Sequence, residues 1–441
     1  MKRLLCTAAV VFVLLLGLFG TSHALTVTLT GGSQPPAEAF SAGGGKYIVL
    51  TFSDSRVVIH DAGAPVSGET LTSREVSLSE LFLIQDHRSP SQRTGYETIY
   101  SYGRYILGAV EKPEELAGSK GVTLWPVTRS MVVTSNPILA ALPDPTVQKL
   151  LNLLSRDKYT GYLNGLANNT ELSTRYSCSS EALTARDIIA NFFQTDAGLA
   201  AGTTEKFTNT ECASCSQDVR QGFNVIARKV GWKNPEQFYL VGAHYDSINN
   251  NSAGEVTCQP APGACDNASG VAGVLELARV FKNVDTEASI VFVAFGGEEI
   301  DLLGSREYVK KLVNSGKEAY LKGFVVLDMI SYYKNDYGIY IEASSKSASQ
   351  MEAGNKLKQL ADTYTNLGAE ISWKPASSDH VPFLNHGMPG ALLIQKECDF
   401  KTYPALHSAE DVVSIQNPDF AIEVLKVTAA LLAEAKVTFP Q

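Results

Sequence analysis

The feature that most constrains this chain is a series of short apolar runs, each closed by a group able to bind a metal ion or move a proton. Phe238-Tyr239-Leu240-Val241-Gly242-Ala243 runs into His244 and Asp246. Ile290-Val291-Phe292-Val293-Ala294-Phe295 is followed by two glycines and then Glu298 and Glu299. Phe324-Val325-Val326-Leu327 ends at Asp328, and His407 lies a short loop beyond Ala391-Leu392-Leu393-Ile394. Runs of this length with helical patterns between them predict strands buried on both faces of a largely parallel sheet. Open sheets of that kind bind ligands at the carboxyl ends of their strands. With Asp266 added, the groups gathered on one edge point to a metal-dependent hydrolase.

Composition limits the alternatives. The 441 residues suit two domains, and 44% hydrophobic with 19% charged residues is globular. A net charge of −9 argues against nucleic acid as a partner. Residues 1–24 read as an export signal. Lys2 and Arg3 precede an apolar stretch over 4–20, and Ser22-His23-Ala24 offers a small-residue cleavage site. That stretch is at the lower limit for a membrane span, so no stable membrane anchor is expected after cleavage, and the protein is secreted or periplasmic. Oxidising surroundings then permit disulfides. Cys258 and Cys265 flank a Pro/Gly loop and are expected to close it. Cys178, Cys212 and Cys215 are expected to pair among themselves, although Cys212-Ala213-Ser214-Cys215 also fits a redox motif or half a zinc site.

Residues 25–140 read as a β-rich accessory domain or pro-region, with strands expected over 46–52, 56–60, 104–110, 122–127 and 131–134. His60 and His87 stand alone there and read as surface or packing residues. Residues 141–441 form the catalytic unit. Asp144-Pro145 is a helix start, Ser180 opens a second helix, and helices are expected over 270–281, 305–313, 351–364 and 421–435. The fold class is α/β: a mixed, largely parallel sheet with helices on both faces, preceded by the small β-rich domain.

Taken singly, each candidate is weak. A His-x-Asp is most often an accidental polar pair, paired glutamates are usually solvated, and Asp266 ahead of Asn267-Ala268-Ser269-Gly270 reads equally well as a helix N-cap. The whole series is more specific. His244 to Ser247, Asp266 to Gly270, Gly297-Glu298-Glu299, Asp328-Met329, Ser378-Asp379-His380 and Tyr403-Pro404-Ala405-Leu406-His407-Ser408 resemble, in order, the bacterial leucyl aminopeptidases with a co-catalytic zinc pair. That group belongs to a wider family with glutamate carboxypeptidase and glutaminyl cyclase. The resemblance covers roughly 145–436.

The resemblance implies that His244 and Asp328 bind one metal ion, that Glu299 and His407 bind the other, and that Asp266 bridges them. It implies that Asp246 orients His244 and that Glu298 is the general base and then the general acid. The ions are two Zn²⁺, with manganese or cobalt also compatible with such ligands, and the substrates are peptides. Asp379 and His380 are expected just behind the ligands, and His386 in a loop. Met329 reads as a pocket wall or an ordinary core methionine.

One departure is plain. Relatives of the secreted type often carry a Cys-x-Tyr-x-Cys segment where this chain has Trp373-Lys374-Pro375-Ala376-Ser377, which leaves the group assisting the carbonyl oxygen unassigned. Within the family, a single-zinc glutaminyl-peptide cyclotransferase is the rival reading, but that branch has tryptophan where Leu406 stands. A non-catalytic ectodomain of the same fold would have lost ligands or base, and none is lost. No G-x-S-x-G elbow supports a serine hydrolase.

Overall fold

The computed structural model of the chain describes residues 25–31, 48–52, 55–61, 69–72, 74–86, 88, 92–102, 105–119, 121–127, 143–199, 203–209, 220–257, 259–375 and 377–440. The expected export signal, Cys212, Cys215, Cys258, His87 and the strand expected over 131–134 lie outside them.

The four longest apolar runs pair side by side in the middle of an eight-stranded sheet. Gly390–Gln395, Leu321–Asp328, Asn234–His244 and Ala288–Phe295 are neighbours in that order, and each pair is parallel. Gly338–Glu342 joins antiparallel beyond Gly390–Gln395, with Gly368–Ser372 parallel to it at that edge. On the other side Gln221–Lys229 runs antiparallel to Ala288–Phe295, and Thr203–Thr208 antiparallel to Gln221–Lys229. The sheet is thus mixed at its edges and parallel at its centre.

Period-two alternation sends successive side chains to opposite faces, and both faces are covered. Val241, Ala243, Ile290, Phe292, Val325 and Leu327 pack into one cluster with residues of helices Arg156–Ala167, Ser269–Phe281, Ala348–Tyr364 and Pro418–Leu432. Leu240, Val291, Val293, Phe324 and Val326 meet Leu303–Asn314 and His380–Asn385 on the other. The chain leaves the His244 strand to one neighbour, Ala288–Phe295, and then crosses to the other, Leu321–Asp328. This is the switch in strand order at which open sheets leave a crevice.

Local chemistry fixes the helix ends. Asp144 Oδ1 accepts from the amides of Thr146 and Val147 at 2.7 and 3.2 Å, capping Pro145–Leu151 as expected. At Glu181–Thr195 it is Ser179, not Ser180, whose hydroxyl accepts the Glu181 amide. Helix Ser269–Phe281 lies directly on the sheet because Gly270 lacks a side chain: a Cβ there would stand 2.4 Å from the Leu327 carbonyl oxygen and 2.9 Å from Ala243 Cβ.

The N-terminal region is β-rich, as expected. Two four-stranded antiparallel sheets share an apolar cluster containing Val27, Val57, Ile59, Leu81 and Leu107. Strands Leu25–Gly31, Leu81–Asp86 and Glu97–Tyr102 were not among the expected ones. His60 is buried, a packing residue.

One expectation is corrected. Cys265 does not close the 258–265 loop: its thiol is free and buried, with Sγ 3.2 Å from Gln395 Oε1. It points inward, against Met329, Tyr403 and Ala405, while hydrogen bonds hold the loop. Asn249 Nδ2 donates to the Pro260 carbonyl, Ser247 Oγ to that of Ala261, and the Ala261 amide to Ser173 O. Cys178 is disulfide-bonded, with its partner outside the described residues. Among the described residues no helix is long and apolar enough to cross a membrane.

Candidate metal centre

All four central parallel strands deliver a side chain to the same edge. His244 and Asp328 are the last residues of their strands. Glu298 and Glu299 follow Ala288–Phe295 across the turn at Gly297, whose φ is +71°. His407 stands on the loop beyond Gly390–Gln395, itself in the left-handed region at φ +51°, as is Met329 at +48°. Non-glycine residues in that region are uncommon and cluster at functional sites.

Asp266 reaches the edge from the opposite direction, just ahead of helix Ser269–Phe281. It is not the cap of that helix. Asn267 Oδ1 accepts the Gly270 amide at 2.8 Å, and Asn267 Nδ2 donates to Leu327 O at 2.9 Å. The Asp266 carboxylate is therefore left to face the crevice.

Its two oxygens face different histidines. Asp266 Oδ1 lies 3.3 Å from His244 Nε2, which is also 3.4 Å from Asp328 Oδ1. Asp266 Oδ2 lies 3.0 Å from His407 Nε2, which is 3.3 Å from Glu299 Oε2. Two groups of potential ligands result, His244–Asp266–Asp328 and Asp266–Glu299–His407, and they share Asp266. A third combination joins His244, Glu298 and Glu299, setting Glu298 beside the pair.

These groups fit divalent cations. Ligands held about 2.0–2.2 Å from a tetrahedral zinc ion lie about 3.3–3.6 Å from one another, close to the spacings above. Asp328 Oδ1 and Glu299 Oε1 are buried with no hydrogen-bond donor, an unfavourable arrangement unless a cation faces them. The mixed imidazole and carboxylate set suits zinc, manganese or cobalt.

The electrostatics carry the same message. Burial pulls the His407 imidazole down, but hydrogen bonds to Asp266 and Glu299 and their charges push it up to about 11. His244 is likewise raised despite its burial, by Glu298 and Asp328 among others. Asp266 is held below the usual carboxylate range because its hydrogen bonds to both histidines outweigh burial. Burial, reinforced by Asp266, pushes Glu299 up to about 7. Burial, with Glu299, Asp379 and Asp328 adding repulsion against the pull of His244, raises Glu298 well above its ordinary value. Protons on the imidazoles thus hold this crowd of carboxylates together, and bound cations would displace them.

Asp246 was expected to orient His244. The atom nearest His244 Nδ1 is the Asp246 backbone oxygen at 3.2 Å, while its carboxylate stands at 3.6 Å. That carboxylate instead accepts the Glu298 and Glu299 amides, each at 3.2 Å, and the Ser177 hydroxyl. It sets the backbone of the two glutamates. In the Ser378-Asp379-His380 segment the ligand contact comes from Ser378, whose hydroxyl donates to Asp328 Oδ2 at 2.8 Å. Asp379 is buried, and burial pushes it up to about 7 against the pull of His244 and Ser305. His380 is fully buried 3.8 Å from Glu342, and desolvation pushes it down to about 3. His386 is the residue that ends helix His380–Asn385, and its Nδ1 lies 2.9 Å from Pro382 O.

Sequence reasoning missed two supports. Asp411 is buried and accepts the Cys265 and Asp266 amides at 2.8 and 3.0 Å and the Tyr403 hydroxyl at 2.6 Å. Arg175, 1% exposed, donates to the carbonyls of Tyr245, Pro262 and Gly263. Gly263 is left-handed (φ +53°), and a Cβ on it would stand 2.8 Å from the guanidinium. A cation on the carbonyls and an anion on the amides thus clamp the chain as it enters Asp266. Asp411 was within reach of inspection, four residues beyond His407. Arg175 lies far upstream in no recognisable pattern.

A sheet edge of this kind, with two His/carboxylate groups sharing one aspartate, is a candidate metal site on a zinc-peptidase fold. Residues 224–432 match the model of "Peptidase family M28". The chain is 33% identical over 226 residues to a probable zinc metalloprotease of Pyrenophora teres, covering 48% of this chain and 46% of that protein. It is 28% identical over 326 residues to a probable leucine aminopeptidase of Trichophyton verrucosum, covering 70% and 79%. The crystal structure of the Legionella pneumophila LapA aminopeptidase has the same fold, with a TM-score of 0.54 at 15% identity over 95% of this chain and all of that one. Against probable zinc metalloproteases the chain spans 46%, 68% and 64% of their lengths.

Proposed function

We propose that this chain is an exported zinc aminopeptidase that removes the N-terminal residue of peptides. His244 and Asp328 would hold one ion, Glu299 and His407 the other, and Asp266 would serve both. The observation that carries this reading is the Asp266 carboxylate, with one oxygen toward each histidine. Divalent ions bound there would supply Lewis acidity, lowering the pKa of a bound water and polarising a substrate carbonyl.

The remaining work falls to the protein. Glu298 accepts the proton of the attacking water on its carboxylate and returns it to the departing amine. Asp246 keeps Glu298 and Glu299 in register through their amides. Met329, Tyr403 and Ala405 pack together beside the ligands. Phe400, 61% exposed, has its ring 5.8 Å from that of His407. The exposed Phe400 ring supports preference for an apolar first residue. The disulfide at Cys178 supports an oxidising compartment. Residues 25–140 act as an accessory or pro-region, a division supported by the separate apolar clusters of the N-terminal sheets and the large sheet.

The test is hydrolysis of leucine p-nitroanilide. Turnover should vanish with a chelator and return with added zinc. Turnover that survives the chelator, or none in the zinc-loaded protein, refutes the proposal.

A further inference from the structure

His407 differs from His244 in what holds its second ring nitrogen. Nε2 faces Asp266 and Glu299, whereas Nδ1 faces the side chain of Asn250, with Asn250 Nδ2 at 3.1 Å. The Asn250 amide also donates to the His407 carbonyl at 3.0 Å, so one residue grips this histidine at backbone and side chain.

Asn250 belongs to a braced loop. Asn250 bridges to Val256, the Thr257 amide donates to Asn249 O, and Asn251 Oδ1 accepts the amides of Ala253 and Glu255 at 2.9 Å each. Asn249 ties the base of the loop to Pro260.

The side-chain contact carries a chemical contradiction. A histidine that offers Nε2 to a cation must keep that nitrogen unprotonated, so its proton sits on Nδ1 and needs an acceptor. With Nδ2 toward His407 the contact sets a donor against a donor, and Asn250 Oδ1 is buried with no partner. A half-turn of the amide exchanges oxygen and nitrogen at nearly the same positions. The orphaned oxygen then accepts Nδ1–H, and both problems disappear.

We propose that Asn250 is a positioning residue: its side-chain oxygen accepts the His407 Nδ1 proton, fixes the tautomer, and aims the Nε2 lone pair at the Glu299-side cation. The inference rests on the two-cation reading above. Nothing in a His-x-Asp or Glu-Glu pattern marks Asn250, since the loop that carries it is specified by turn chemistry.

The test is a zinc titration against a competing chelator on the full chain, with thermal melting as a control for folding. Asn250→Ala should weaken one of two zinc sites about 10- to 100-fold, the usual cost of losing such a partner, and leave the other unchanged. Asn250→Asp, an acceptor of the same shape, should restore wild-type affinity or better. Asn250→Asp as weak as Asn250→Ala, or Asn250→Ala with both affinities intact, overturns the proposal. Should the variants not fold, nitrogen NMR of the zinc-loaded wild type decides: a proton on His407 Nδ1 supports it, and one on Nε2 overturns it. Fewer than two zinc ions in the wild type would instead defeat the two-cation reading, and this inference with it.

Discussion

Glu298→Gln is expected to lower kcat on leucine p-nitroanilide by about 10²–10⁴-fold, the usual worth of a general acid–base group, while zinc per chain stays at two. Glutamine has the shape of glutamate and leaves the Glu298 amide on Asp246 Oδ1 undisturbed, so the cleft should keep its geometry. What it loses is a site for the proton. Glu298 stands outside the two groups that share Asp266, and burial beside Glu299, Asp379 and Asp328 makes its protonated form favourable. Should Glu298→Gln lose a zinc ion, and Glu299→Gln keep both, the roles of base and ligand are exchanged.

Asp266→Asn is expected to act on the metal count itself. A carboxylate can present an anionic oxygen to each of two cations, whereas an amide has one neutral oxygen and an N–H₂ that repels a cation. Zinc per chain should fall from two to one or none. Activity should fall at least about 10²-fold, because the charge stabilisation supplied by a catalytic ion is worth several kcal/mol. The fold should survive. The helix behind the site is capped by Asn267, and the chain entering it is held through backbone groups by Arg175 and Asp411. Inductively coupled plasma mass spectrometry of the purified variant measures the count. Two tightly held zinc ions in Asp266→Asn would remove the bridging role.

Much of this arrangement was legible in the chain. The central strands were readable because burial on both faces demands uninterrupted apolar runs, and a charged or imidazole residue ending such a run has to lie at the sheet edge. That logic brought His244, Glu298, Glu299, Asp328 and His407 to one place. Asp266 was readable only as one of two possibilities, since a helix start accepts a carboxylate as a cap. Asn267 takes that role, and only the fold distinguishes the two neighbours.

What stayed hidden depends on long-range or backbone chemistry. Asp246 faces His244 more closely through a carbonyl than through its side chain. Arg175 binds carbonyls, which have no sequence signature, and Asn250 meets His407 across a loop. Cys265 beside a Pro/Gly loop suggested a disulfide, but its inward direction is set by the packing of Met329 and Tyr403. In the N-terminal region, Leu25–Gly31 escaped notice against the apolar segment before it. Leu81–Asp86 is buried along its whole length and so lacks the alternation that marks a half-exposed strand.

Anomalous diffraction at the zinc edge from zinc-loaded crystals tests the central claim most directly. Two peaks are expected on either side of the Asp266 carboxylate, one among His244, Asp266 and Asp328 and the other among Asp266, Glu299 and His407. A single peak, or peaks away from Asp266, would contradict it.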